Sequence, residues 1–211
     1  MNLQINQKKH DIKEKHKKEY ENQKRSLILI LNIVFKILSE IISLKLLPFT
    51  QSDYSSFTSW ITDSKFLAQF AGNRLTYPVD SLQLDQFYSD PNRFPYKLVE
   101  TRTHITIGHA ELLITPGTVR IGQVLIGNNK LRNKGIGQKL ITLLLHKAFT
   151  TWDKEIVELN VYDWNTVAIE CYKKVGFTII PERTKKTQIG DEIWSTLNMR
   201  ITREFFNQPI Y

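Results

Sequence analysis

A chain of 211 residues, 41% hydrophobic and 11% aromatic, can close one sizeable core and still carry an extension. Its single cysteine, Cys171, excludes an intramolecular disulfide and a cysteine zinc cluster, and suggests a reducing, cytoplasmic setting. Its five histidines, His10, His16, His104, His109 and His146, include no H-x-x-x-H pair, so no metal site is expected. The net charge is +8, of which residues 1–25 carry +4, so the body is only mildly basic.

Residues 1–25 are rich in Lys, Glu, Gln and Asn and read as a disordered arm or a solvated, frayed helix. Ser26 to Phe35 is the most apolar window, but its uncharged run is ten residues, and spanning a bilayer takes about 20. A short docked helix, or one lying on a membrane surface through 26–40, fits that window better. Ile41 to Leu47 reads as a first strand ending at Pro48. Tyr54 to Phe70 has helical apolar spacing behind the capping run Thr50 to Asp53. A short helix from Asp80-Ser81 through Tyr88 follows. Pro95 to Glu100 pairs with Ile105 to Ile114, and Val119 to Ile126 is the next strand.

The stretch around which the chain is organised is Leu125 to Phe149. A buried strand end, Val124, Leu125 and Ile126, runs into a polar loop and then Arg132-Asn133-Lys134-Gly135-Ile136-Gly137-Gln138. A helix with a broad apolar face follows, set by Ile136, Leu140, Leu144 and Ala148 with Ile141, Leu145 and Phe149. Backbone N–H groups at a helix start lack intrahelical partners and carry the positive end of the dipole, and glycines let an anion approach them. The loop does not fit G-x-x-x-x-G-K-[ST], and Leu140 stands where G-x-G-x-x-G/A needs a third small residue. Downstream, Ile156 to Tyr162 alternates as a strand. Asn165 is placed to cap a helix carrying Val167, Ala168, Cys171, Tyr172 and Val175, and Gly176 to end it. Phe177 to Ile180 and Glu192 to Thr202 read as two last strands around a polar excursion with Lys185 and Lys186.

The loop fits [QR]-x-x-G-x-[GA], and about thirty residues on comes N-x-x-A-x-x-x-Y-x-x-x-G-F, here Asn165, Ala168, Tyr172, Gly176 and Phe177. Together these resemble the GNAT superfamily of acetyl-CoA-dependent N-acetyltransferases. Trp60-Ile61, Ala71-Gly72, Tyr77-Pro78 and Gly108 to Glu111 look like its ribosomal-protein N-terminal acetyltransferase branch. The loop departs from the family pattern at Asn133, where members usually have Gly; Asn tolerates the left-handed region better than most residues. The resemblance implies an α/β fold, a single GNAT-like domain over 39–204 with a central mixed, mostly antiparallel, splayed sheet flanked by helices. Residues 1–38 would be the extension and 205–211 a tail.

The resemblance further implies acetyl-CoA as co-substrate, with no metal. Its pyrophosphate would lie on the backbone of Asn133, Lys134, Gly135, Ile136, Gly137 and Gln138 beside the charge of Arg132. Its pantetheine arm would pair with Val124, Leu125 and Ile126, and Asn165 and Tyr172 would touch it too. Tyr172 would assist the leaving thiolate. Tyr titrates near ~10 and a thiol near ~8.5, so full proton transfer is uphill by roughly 2 kcal/mol in water and a strengthening hydrogen bond serves better. The attacking amine must be neutral, which at pH 7 costs about 4.6 kcal/mol for a lysine side chain and about 1 to 1.4 for an α-amine. Glu111, and less so His109 on the same strand face, is the candidate base; the other reading is cross-strand pairing on a solvated face. Cys171 reads as core, between Val167 and Val175. The acceptor would be an amine-bearing small molecule or a peptide N-terminus, met by a monomer or homodimer. Nucleic acid is not expected. Competing readings are a non-catalytic acyl-CoA-binding module and a binding protein acting through the basic arm.

Overall fold

Alternating apolar and polar residues in the strands leave one sheet face apolar, and the helix pattern supplies the stripe that covers it. The computed structural model describes residues 14, 17, 18, 20–31, 44–127, 129–132 and 134–206. The chain divides into two compact units, Met1–Ser43 and Leu44–Tyr211.

In the first unit residues 20–31 are helical, and Leu27, Ile28, Leu29, Ile30 and Leu31 are all exposed. The rest of the apolar window, and residues 41–43 of the expected first strand, lie outside the described residues. Among the described residues no helix is long and apolar enough to cross a membrane.

The second unit is built on a seven-stranded sheet in the order β1-β2-β3-β4-β5-β7-β6. The strands are β1 (Leu44–Pro48), β2 (Arg93–Glu100), β3 (Thr106–Ile114), β4 (Val119–Ile126), β5 (Ile156–Tyr162), β6 (Thr178–Ile189) and β7 (Glu192–Thr202). Every neighbouring pair is antiparallel except β4 and β5, which run parallel. The helices are α1 (Tyr54–Ser59), α2 (Ser64–Ala71), α3 (Ser81–Tyr88), α4 (Ile136–Thr151), α5 (Thr166–Val175) and α6 (Arg203–Phe206). The expected mixed α/β domain with a mostly antiparallel sheet is therefore what forms.

α4 buries Ile136, Leu140, Ile141, Leu144, Leu145, Ala148 and Phe149, the residues its spacing singled out, against Leu98, Leu112, Ile121, Leu159 and Met199 of the sheet. α5 adds Ile169 and Tyr172 to the same cluster. α1, α2 and α3 bury Phe57, Leu67 and Leu84 in a second cluster that reaches β4 at Leu125.

Two expectations need correction. The continuous helix Tyr54 to Phe70 is two helices, because Asp63 is extended and its side chain accepts from Phe66 N at 2.7 Å, starting α2 afresh. The polar excursion after Ile180 is strand: β6 runs on to Ile189, shifted in register between Ile180 and Lys185. It is an edge strand, so its Lys and Thr side chains stay in water on both faces.

Candidate active site

β4 is where the site begins. Its pairing with β3 shifts between His109 and Glu111, and Gln123 takes φ 49. Such a bulge puts one extra residue into the strand and reverses which side chains face which way. Val119 and Ile121 face the α4 core, whereas beyond the bulge Leu125 faces the α1–α3 cluster and Val124 and Ile126 pack on the α4 side.

The bulge is pinned from β3. His109 is fully buried; its Nδ1 lies 3.1 Å from the Gln123 carbonyl oxygen and its Nε2 3.0 Å from the Tyr88 hydroxyl. These two bonds fit a neutral imidazole that donates from Nδ1 and accepts at Nε2. Burial pushes its pKa down to about 4, against the Gln123 bond and the Asp53 charge, which raise it. Phe49 and Phe57 close over the ring at 4.6 and 4.7 Å between centroids.

Glu111 shares this face, 1% exposed. Arg93 Nη1 donates to its Oε1 at 2.7 Å, while Oε2 bonds nothing among the described residues. A Cβ on Gly122 would sit 2.8 Å from Glu111 Oε1, so the carboxylate occupies room that only glycine leaves on β4. Burial raises the Glu111 pKa, opposed by the charge and hydrogen bond of Arg93. Neither Glu111 nor His109 lies on the solvated face of the alternative reading. The helices α1–α3 cover that side.

The parallel pairing of β4 with β5 is short: Val119, Arg120 and Ile121 meet Val157, Glu158 and Leu159, and there it stops. From Gly122 to Ile126 the β5-facing edge of β4 has no strand partner among the described residues. The two strands splay into a gap whose walls carry unpaired backbone groups.

Past that gap the chain reaches the loop. Gly135 is the N-cap of α4 at φ 75, a left-handed conformation that excludes most side chains, and a Cβ there would meet nothing within 4 Å. Lys134 is exposed, Gly137 and Gln138 are half-buried, and Ile136 turns into the core. Arg132 is exposed; its Nη2 donates to the Ile126 carbonyl at 3.3 Å and its guanidinium lies 5.5 Å from the Phe66 ring. Asn133 lies outside the described residues. The open backbone N–H groups at this end could take a diphosphate.

On α5, the Asn165 side chain accepts from Ala168 N at 3.3 Å, the predicted cap. Tyr172 is 7% exposed and its hydroxyl makes no hydrogen bond among the described residues. Burial pushes its pKa up, which keeps it protonated. Cys171 departs from the expected core position: Val167 is 69% exposed, and the buried stripe runs through Ile169 and Tyr172 instead. Cys171 sits half-buried beside α4, where a Cβ on Gly137 would lie 3.3 Å from its sulfur.

Ile136 and Tyr172 belong to the large core cluster on the α4 side, and Val124 and Ile126 pack against it. Glu111 stands across the sheet with Arg93, Gly122 and Gln123. The sequence reading missed the bulge at Gln123, the partners Arg93 and Tyr88, and Trp60, which stands over Gly127 so closely that a Cβ there would be 2.2 Å from its ring. Only Gly122, a glycine inside an alternating strand, carried a signal in one dimension.

Solved structures of similar fold cover 78–80% of the chain. Aminoglycoside acetyltransferase AAC(6')-Ib in complex with coenzyme A aligns at 22% identity and a TM-score of 0.61, covering 78% of this chain and 97% of that one. Spermidine N-acetyltransferase from Vibrio cholerae, in complex with CoA and spermine, aligns at 18% identity and a TM-score of 0.66, covering 78% and 98%. AAC(6')-Ib with ribostamycin and coenzyme A aligns at 21% and 0.65, covering 80% and 98%. These likenesses concern the fold. The model of the acetyltransferase (GNAT) family matches residues 55–177, which hold the bulged strand, the splayed gap, the Gly135 loop and the Tyr172 helix. The chain belongs to the GNAT family of acetyltransferases.

Proposed function

We propose that the protein moves the acetyl group of acetyl-CoA to the primary amine of a small molecule by direct attack. The observation that carries this is the gap after Ile121 and Leu159, an open strand edge leading straight to a glycine-started helix. A pantetheine arm carries amides that can pair with that edge, and its diphosphate suits the Gly135 helix start. Val124, Leu125 and Ile126 supply the edge. Arg132, Lys134, Gly135, Ile136, Gly137 and Gln138 supply the anion site, with Asn133 between them in sequence and Asn165 beside the arm. Solved relatives of this fold hold CoA together with spermine or an aminoglycoside, which supports an amine-bearing acceptor.

The reaction needs a proton taken at one end and a hydrogen bond given at the other. The amine lone pair attacks the thioester carbonyl carbon, the C–S bond breaks, the amine loses one proton and the thiolate gains one. Glu111, with one buried oxygen unpartnered and a raised pKa, serves as base or holds the water that relays the proton. Tyr172 serves the sulfur by a hydrogen bond that strengthens as charge develops, since burial raises its pKa and makes it a poorer acid. The two residues lie on opposite faces of the sheet, so the gap is the place reached from both: acceptor from the α1–α3 side, thiol from the α5 side. The oxyanion takes a backbone N–H of β4, which the bulge turns.

Calorimetric titration of acetyl-CoA into wild type and Gly135→Trp tests the reading. Micromolar binding by wild type, lost in the variant, is expected. No binding by folded wild type at millimolar ligand overturns it. With an acceptor in hand, Tyr172→Phe should lower kcat by about 10²-fold while acetyl-CoA affinity stays.

A further inference from the structure

The sheet face under α1–α3 carries more positive than negative charge near the gap. Arg93 on β2 is committed, its Nη1 to Glu111 and its Nε 3.4 Å from Asp90. Across the sheet Glu158 is equally committed: Arg183 and Arg200 both donate to its Oε1, at 2.5 and 2.7 Å. That leaves Arg120 on β4 short of a partner. It stands opposite Glu158 in the β4–β5 register, yet its Nε is buried and bonds nothing among the described residues.

Arg74, on the loop between α2 and α3, is exposed. Among the described residues it has no ion pair and no hydrogen bond. With Thr76, Gln83, Gln86 and Phe87 it lines a cavity of about 400 Å³. The Phe87 ring of that cavity lies 4.1 Å from the Arg93 guanidinium, which places Arg74 near the Arg93–Glu111 pair, and Arg120 stands two residues from Gly122, the β4 position opposite Glu111. The carboxylates nearby are already engaged: Glu111 and Asp90 by Arg93, and Glu158 by Arg183 and Arg200.

A polycation entering from this side would meet repulsion. An oxyanion would find two guanidiniums with donors to spare, and the planar fork of arginine matches carboxylate and phosphate. We propose that the acceptor is an amine that also carries an oxyanion, a carboxylate or a phosphate, and that Arg74 and Arg120 hold that group while Glu111 Oε2 faces the amine. This rests on the acetyltransferase reading and narrows its substrate class. The acyl-transfer step is unchanged; the arginines orient and select.

The test uses the full chain, acetyl-CoA and a panel of acceptors: amino acids with their carboxamides, O-phosphoethanolamine with ethanolamine, and spermine and kanamycin. CoA thiol release gives the rate. The expected result is a kcat/KM at least tenfold higher for an acid or phosphate than for its uncharged counterpart, and higher than for either polycation. The two oxyanion arms distinguish carboxylate from phosphate. In Arg74→Ala the KM for the preferred acceptor should rise tenfold or more with kcat less affected and acetyl-CoA affinity unchanged, and Arg74→Lys should recover part of the loss. Equal use of acids and carboxamides, preference for spermine or kanamycin, an unmoved KM in Arg74→Ala, or acetyl-CoA binding with no turnover of any oxyanion would each overturn the proposal. Failure to bind acetyl-CoA at all would instead sink the acetyltransferase reading beneath it.

Discussion

The two faces of the sheet are built on different physics. Behind it, α4 and α5 seal a dry cluster in which Leu140, Leu144, Leu145, Val157 and Met199 are fully buried. In front, α1–α3 cover groups that can ionise or bond: buried His109, Glu111, Gln123 and Asp53, the last paired with half-buried Lys97. Buried apolar area stabilises without direction, so the rear face specifies the fold. Buried polar groups stabilise little on balance and demand partners, so the front face contributes less to the fold and more to whatever it binds. The contrast places the proposed reactive gap between an apolar wall and a wall whose groups can bond and titrate.

The rear face is the place to break the fold hardest. Leu144→Ala removes a fully buried side chain from the middle of α4 and should cost about 2 to 5 kcal/mol in denaturant unfolding. A loss well under 1 kcal/mol would mean that this wall repacks easily and is not the rigid half.

The front face should reveal itself by pH. His109 is neutral in the folded chain, with a pKa of about 4 against an ordinary 6.5. Above about pH 6.5 both folded and unfolded forms are neutral there and the full stability is present. Below it the unfolded chain takes the proton first, so stability falls as pH drops through the window from 6.5 to 4. The loss should approach roughly 3 kcal/mol. His109→Phe should flatten that part of the profile measured by thermal melts from pH 7 to 4. An unchanged slope in the variant would assign the acid sensitivity to other groups.

The smallest effect sits at the edge of the gap. Asn165→Ala removes the side-chain cap of α5 and should cost about 1 kcal/mol, whereas Asn165→Asp should retain most of it. If acetyl-CoA affinity falls in both variants while stability falls only in the first, Asn165 serves the cofactor as well as the helix.

Legibility in the sequence divided along the same line. The rear wall could be read directly: the spacing of Ile136, Leu140, Leu144 and Ala148 is a local pattern, and so is the alternation in Ile156 to Tyr162. The Gly135 turn and the Asn165 cap were legible too, because each depends on residues within one turn of itself. The break inside Tyr54 to Phe70 was written there as well, in Thr62-Asp63-Ser64, a capping run inside an apolar period. The reach of β6 was not, since a polar edge strand looks like a loop when hydrogen bonding to β7 alone decides it.

By itself the sequence determined the order of strands and helices, the burying face of α4, the glycine at the helix start and the asparagine cap, because these follow from backbone conformational preference and from the periods of helix and strand. The tertiary structure alone decided that β4 and β5 separate after three paired positions, that Gln123 is bulged and held by His109, that Glu111 fills the space over Gly122, and that the buried Nε of Arg120 is left without a partner among the described residues. Each of those depends on residues far apart in the chain meeting across the sheet, where register and desolvation, rather than neighbours in sequence, set what a side chain can do.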